Sequence, residues 1–79
     1  MNRYNFLMYR TIKGNYIEVD SGFNQSFLQI MKKFLRYMKK FNCRKENLDL
    51  FGEEGDNIDL SYITCDKKGN GLTLELREL

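Results

Sequence analysis

Between Asn24 and Asn42 the apolar positions recur every three or four residues. Phe27, Leu28, Ile30, Met31, Phe34, Leu35, Tyr37, Met38 and Phe41 share one half of a wheel turned at about 100° per residue. Gln25, Gln29, Lys32, Lys33, Arg36, Lys39 and Lys40 fill the other half. The spacing predicts an amphipathic helix over 24–42. Asn24 is a suitable N-cap, because its side-chain oxygen can accept from a first-turn amide that lacks a partner. Phe23 and Leu28 would clamp the entry as a hydrophobic staple, and the closing lysines suit the negative end of the helix dipole.

On both sides of the helix the period changes to two. Tyr4 to Lys13 and Tyr16 to Asp20 read as strands joined by Gly14-Asn15, a pair that suits a type II′ turn. That register sets Ile12 opposite Ile17 and Arg10 opposite Val19, and Ser21-Gly22 ends the second strand. Beyond the helix, Ile58 to Cys65 and Leu72 to Leu76 form a second hairpin around Asp66-Lys67-Lys68-Gly69. Aspartate at the first turn position and a left-handed glycine at the last fit a type I turn closed by a bulge. The pairs are then Thr64 with Leu72, Tyr62 with Leu74 and Leu60 with Leu76, all on one face. Asp59, Ser61, Thr73, Glu75 and Arg77 face away.

The expected fold is therefore α+β in the order ββαββ. An antiparallel four-stranded sheet carries one amphipathic helix packed on one face. The whole chain, 1–79, is one domain: hairpin 4–20, helix 24–42, acidic connector 43–57 and hairpin 58–79. At 1.5 Å per residue the helix would run about 28 Å, enough to cross four strands. A chain of 79 residues buries a small core, and six Phe, five Tyr and four Met supply the bulk it needs.

Charge adds a second pattern. The net charge of +2 is too low to imply a nucleic-acid partner alone, but its distribution is uneven. Lys32, Lys33, Arg36, Lys39, Lys40, Arg44 and Lys45 come with no acid among them. Glu46, Asp49, Glu53, Glu54, Asp56 and Asp59 follow with no base. Lys32, Lys33, Arg36, Lys39 and Lys40 are the nucleic-acid-contact candidates, because five cations on one helix face can neutralise phosphates. Helix-turn-helix, zinc-finger and aromatic RNA-binding signatures are missing from the sequence.

Candidate chemistry is sparse. Without His the usual general base near neutral pH is missing, and no Ser or Cys has an activating neighbour in sequence. Two cysteines without His leave too few soft ligands for zinc. The Asp66–Gly71 stretch fails as an EF-hand, since Lys68 and Arg77 occupy ligand positions. No cofactor is expected, and no enzymatic activity. No segment reaches the 18 or so apolar residues of a membrane span, and the first residues do not form a signal peptide. These readings imply a cytoplasmic protein with reduced thiols and no membrane partner.

Surfaces remain. The acidic residues Glu53, Glu54 and Asp56 and the outward sheet residues Tyr9, Tyr16 and Ile63 are the protein-contact candidates. A sheet with one helix leaves its second face uncovered, and an aromatic patch there suits an interface. The expectation is a small non-catalytic protein-binding module that occupies a surface of a larger macromolecule. The alanine-free, Asn- and Lys-rich composition is in keeping with a phage or mobile-element accessory protein or inhibitor. The alternatives are a nucleic-acid binder using the basic helix face and a small homodimer paired through its exposed sheet.

Overall fold

The computed structural model describes residues 2–53 and 59–79. Its elements run β1 (Arg3–Ile12), β2 (Asn15–Ser26), α1 (Phe27–Lys40), a single 3-10 turn (Lys45–Asn47), β3 (Asp49–Glu53), β4 (Asp59–Cys65) and β5 (Gly71–Glu78). The α+β class and the antiparallel sheet are as expected, but the sheet has five strands, in the order β2-β1-β5-β4-β3. β1 and β5, the first and last strands, pair at its centre from Tyr4↔Glu78 to Thr11↔Gly71.

The fifth strand is β3, inside the stretch read as an acidic connector. Asp49, Gly52 and Glu53 are poor strand formers, so composition argued for a loop. Pairing with β4, from Asp49↔Ile63 to Glu53↔Asp59, overrides that local preference. The ββαββ order is thereby corrected to ββαβββ.

The N-terminal hairpin also departs from its reading. The turn is Lys13-Gly14, with φ of 50° and 81°. Two left-handed residues make a type I′ turn, whose twist matches the strands it joins. The pairs slide by two, giving Ile12↔Asn15 and Arg10↔Ile17, which preserves the face each residue occupies. Ser21-Gly22 does not end β2, which continues to Ser26 across irregularities at Val19 and at Phe23-Asn24. Gly22 serves close approach, because a Cβ there would lie 2.5 Å from Cε1 of Phe6.

The helix consequently starts later than 24. Ser26 is the N-cap: its hydroxyl accepts from the Gln29 amide at 3.3 Å, and the Ser26 amide donates to the Gln29 side chain at 3.1 Å. This reciprocal capping box uses Ser26-Phe27-Leu28-Gln29. Asn24, the expected cap, lies in β2 with φ +53° and receives the Arg3 Nε–H at 3.1 Å. No staple forms, since Phe23 and Leu28 are both exposed. At the other end Asn42 takes φ +56°, the Asn42 amide donates to the Lys39 carbonyl and the Cys43 amide to the Met38 carbonyl. Those two bonds are a Schellman closure with Asn in the left-handed position.

The C-terminal hairpin follows its reading. Thr64↔Leu72, Tyr62↔Leu74 and Leu60↔Leu76 are the observed pairs. Asp66 accepts at Oδ1 from the Lys68 and Asn70 amides, and Gly69 turns with φ +81°. Side chains at even positions of β1 and β5 form the core floor: Tyr4, Phe6 and Met8 beside Leu72, Leu74 and Leu76. Ile30, Phe34 and Met38, one turn apart, close it from above. The buried stripe is narrower than the predicted half-wheel, because Leu28 and Leu35 stay exposed.

Candidate functional site

With the helix covering one face, the odd-numbered residues of β1 project from the other. Leu7, Tyr9 and Thr11 stand there, and the register brings β2 beside them as Leu7↔Ser21, Tyr9↔Glu18 and Thr11↔Tyr16. Tyr9 and Tyr16 meet edge to face, ring centroids 5.4 Å apart and planes at 87°. This geometry sets the positive ring edge of one against the negative face of the other. Together with Leu7 and Glu18 they line a shallow groove of about 390 Å³.

Polar contacts fix Tyr9 from the neighbouring strand. Its hydroxyl donates to Glu75 Oε1 at 3.4 Å, and Thr73, buried on β5 directly opposite, also bonds its side chain. Burial, followed by the charge of Glu75, holds the Tyr9 hydroxyl above its usual pKa. It therefore remains a neutral donor at any physiological pH. Tyr16, by contrast, is 75% exposed. Glu18 is exposed and makes no ion pair among the described residues.

Of the protein-contact candidates, then, Tyr9 and Tyr16 are brought together, while Ile63 is not. It sits on β4, with Thr73 of β5 between it and Tyr9, two strand spacings or about 10 Å away. Of the acidic candidates, Glu53 ends β3 by its backbone, whereas Glu54 and Asp56 lie outside the described residues. Glu18 was missed because the slide of two at the turn moves it from opposite Thr11 to opposite Tyr9, whereas the alternation of β1 alone puts Leu7 on the face of Tyr9.

The basic helix face is partly committed to structure. Lys32, Arg36, Lys39 and Lys40 are exposed. Lys33 instead donates to Gln25 Oε1 at 3.1 Å and lies 5.3 Å from the Phe6 ring centroid. Lys40 stands over Phe41 at 5.6 Å. Helix α1 carries no acidic residue.

One further polar cluster lies under the helix C-terminus. Arg10 Nη2 and Asp66 Oδ2 are 2.9 Å apart, with the guanidinium 4.6 Å from the Phe41 ring centroid. Arg10 Nε is buried without a hydrogen-bond partner among the described residues. Burial pushes the Cys43 thiol above its usual pKa despite nearby Arg10, leaving it a protonated, weakly nucleophilic group. The cluster ties β1 to the β4–β5 turn.

Among the described residues no group of three or more His, Cys, Asp or Glu stands ready to hold a metal ion. No described helix is long and apolar enough to cross a membrane. The chain matches no protein-family model, no curated protein and no solved structure.

Proposed function

We propose that this protein is a non-catalytic binding module whose outer sheet face docks on a protein partner. The observation that carries the reading is the Leu7, Tyr9, Tyr16 and Glu18 groove on a face that no element covers among the described residues. Aromatic side chains with a polar tip are the residues that most often dominate protein interfaces, and a neighbouring carboxylate adds orientation. A module of this size works by occupancy, covering part of a larger macromolecule. That mode suits an accessory protein or inhibitor of the kind found in phages and mobile elements, acting in the cytoplasm.

The test is affinity capture with the tagged full chain and with a Tyr9→Ala/Tyr16→Ala variant, each with and without nuclease. A stoichiometric protein band held by the wild type through nuclease treatment, and lost in the variant, supports the reading. A band held equally by both proteins overturns it.

The acid-free helix face favours a second reading, contact with nucleic acid. Four exposed cations would give a log–log salt slope of about −3 to −4 on duplex DNA. Lys32→Glu, Arg36→Glu and Lys39→Glu together should then abolish retention of nucleic acid while sparing the Tyr9/Tyr16 contact. Self-association through the sheet would instead show as a concentration-dependent mass in sedimentation.

A further inference from the structure

Resting on the protein-binding reading, we infer that the partner engages the groove as an extended segment annealed to the free edge of β2. Its cationic side chains alternate with apolar ones. Among the described residues β2 is an edge of the sheet, bonded only to β1. Across a two-residue turn the flanking pair Ile12↔Asn15 is hydrogen-bonded, and the pairs alternate thereafter. Tyr16 and Glu18, in the intervening pairs, therefore point both backbone N–H and C=O away from β1. These are two of the four residues whose side chains line the groove. Backbone edge and side-chain groove thus form one site, the arrangement that strand addition uses for affinity and specificity together.

The 15–18 stretch of this edge also lacks blocking side chains. Residues 15–26 contain no Lys, Arg or Pro, the residues that commonly block strand pairing. The irregularities at Val19 and Phe23-Asn24 limit the regular ladder to 15–18.

Side-chain chemistry selects the occupant. On the outer face an added strand would set alternate side chains over Glu18, which has no ion pair among the described residues, and beside the exposed ring of Tyr16, so cations fit. The intervening side chains would fall on the helix side beside Ile17, which is 51% exposed, so apolar groups fit there. A second copy fits less well. Antiparallel pairing of two β2 edges would place both helices on the same side of the joined sheet. It would also set the two β2 edges, each carrying the carboxylates of Glu18 and Asp20 and no Lys or Arg, against each other.

The test is amide NMR of the full chain titrated with a blocked seven-residue peptide of alternating valine and lysine. The expected result is shifts at Tyr16 and Glu18 with slowed exchange of their amide protons, weakened at least about fivefold in Glu18→Lys. The same peptide N-methylated at the amides that would face β2 should not bind. Equal binding of the methylated peptide, with shifts at Leu7, Tyr9 and Tyr16, overturns strand addition but leaves the groove as a docking site. Shifts gathered on α1, a two-fold mass increase without peptide, or no response at millimolar peptide also overturn it. The capture experiment with Tyr9→Ala/Tyr16→Ala then decides the broader reading separately.

Discussion

On the inner face of the sheet, Phe6, Met8, Leu72, Leu74 and Leu76 lie beneath Ile30, Phe34 and Met38, all nearly inaccessible to water. On the outer face, built from alternate residues of the same strands, Leu7 is half-buried and Tyr16 is mostly exposed. Both faces are rich in large apolar groups, yet only one is closed. The inner face stabilises the domain because its burial is complete. The outer face contributes little to folding, which leaves its aromatic rings available to another molecule. Substitutions should therefore separate the two faces, with effects on stability on one side and effects on binding on the other.

The largest effect is expected at the centre of the inner face. Phe34 is fully buried and its ring lies 6.4 Å from that of Tyr62. Phe34→Ala should cost about 3–5 kcal/mol in urea denaturation. A domain of this length has about 4–12 kcal/mol in total, so much of the variant would be unfolded at 37 °C. A loss below about 1 kcal/mol would mean that the helix is not the lid of the core.

Gly22→Ala comes next, at about 1–3 kcal/mol, because the added methyl must displace the Phe6 ring from the inner face. Ser26→Ala follows at about 1 kcal/mol through loss of one half of the capping box. An unchanged midpoint for Ser26→Ala alongside a drop for Asn24→Ala would restore the earlier helix start.

These positions also show what was legible in the sequence. The C-terminal hairpin was readable because two independent signals coincide, the Asp66–Gly69 turn chemistry and the alternation of Leu72, Leu74 and Leu76. The N-terminal turn was not, since a left-handed Lys13 is rare and the neighbouring Gly14-Asn15 offered a better local motif. The helix start was misplaced by Asn24, a favourable cap type, and by Phe23 and Leu28, an apolar pair at staple spacing whose members both stay exposed. The Ser26-to-Gln29 box was in plain sight but competed with Asn24. β3 was hidden because its stability comes from β4 and not from its own residues. For the candidate site, alternation sufficed to put Tyr9 and Tyr16 on one face. Strand order, a long-range property, decided that Ile63 stands apart from them.

The contribution of Asp66 ionisation is present at neutral pH and is revealed by its loss in acid. Its burial would raise the carboxyl pKa, but hydrogen bonds from Arg10 and from the Asn70 and Lys68 amides outweigh that and hold it below the usual range. A lowered folded-state pKa stabilises the protein above the unfolded value of about 3.9, and the gain is lost as pH falls through the lower folded value. The urea midpoint of the wild type should therefore drop below about pH 4. The drop should be shallower in Arg10→Met, which lacks one of the bonds that lower the pKa. Identical acid profiles would show that the Arg10–Asp66 contact does not bias Asp66 ionisation.

The smallest effect on stability, and the sharpest separation of the two faces, is expected for Tyr16→Ala. The ring is 75% exposed, so little buried area is lost, and its edge contact with Tyr9 is the main interaction removed. The urea midpoint should move by no more than about 0.5–1 kcal/mol. Any protein partner held at the groove should nevertheless be lost or strongly weakened, because an aromatic anchor at an interface commonly carries 2 kcal/mol or more of the binding energy. Phe34→Ala should show the opposite balance, with weaker binding only in proportion to the unfolded fraction. If Tyr16→Ala destabilises the fold as much as Ser26→Ala while partner capture is unchanged, the outer face is a second structural layer and the contrast between the faces fails.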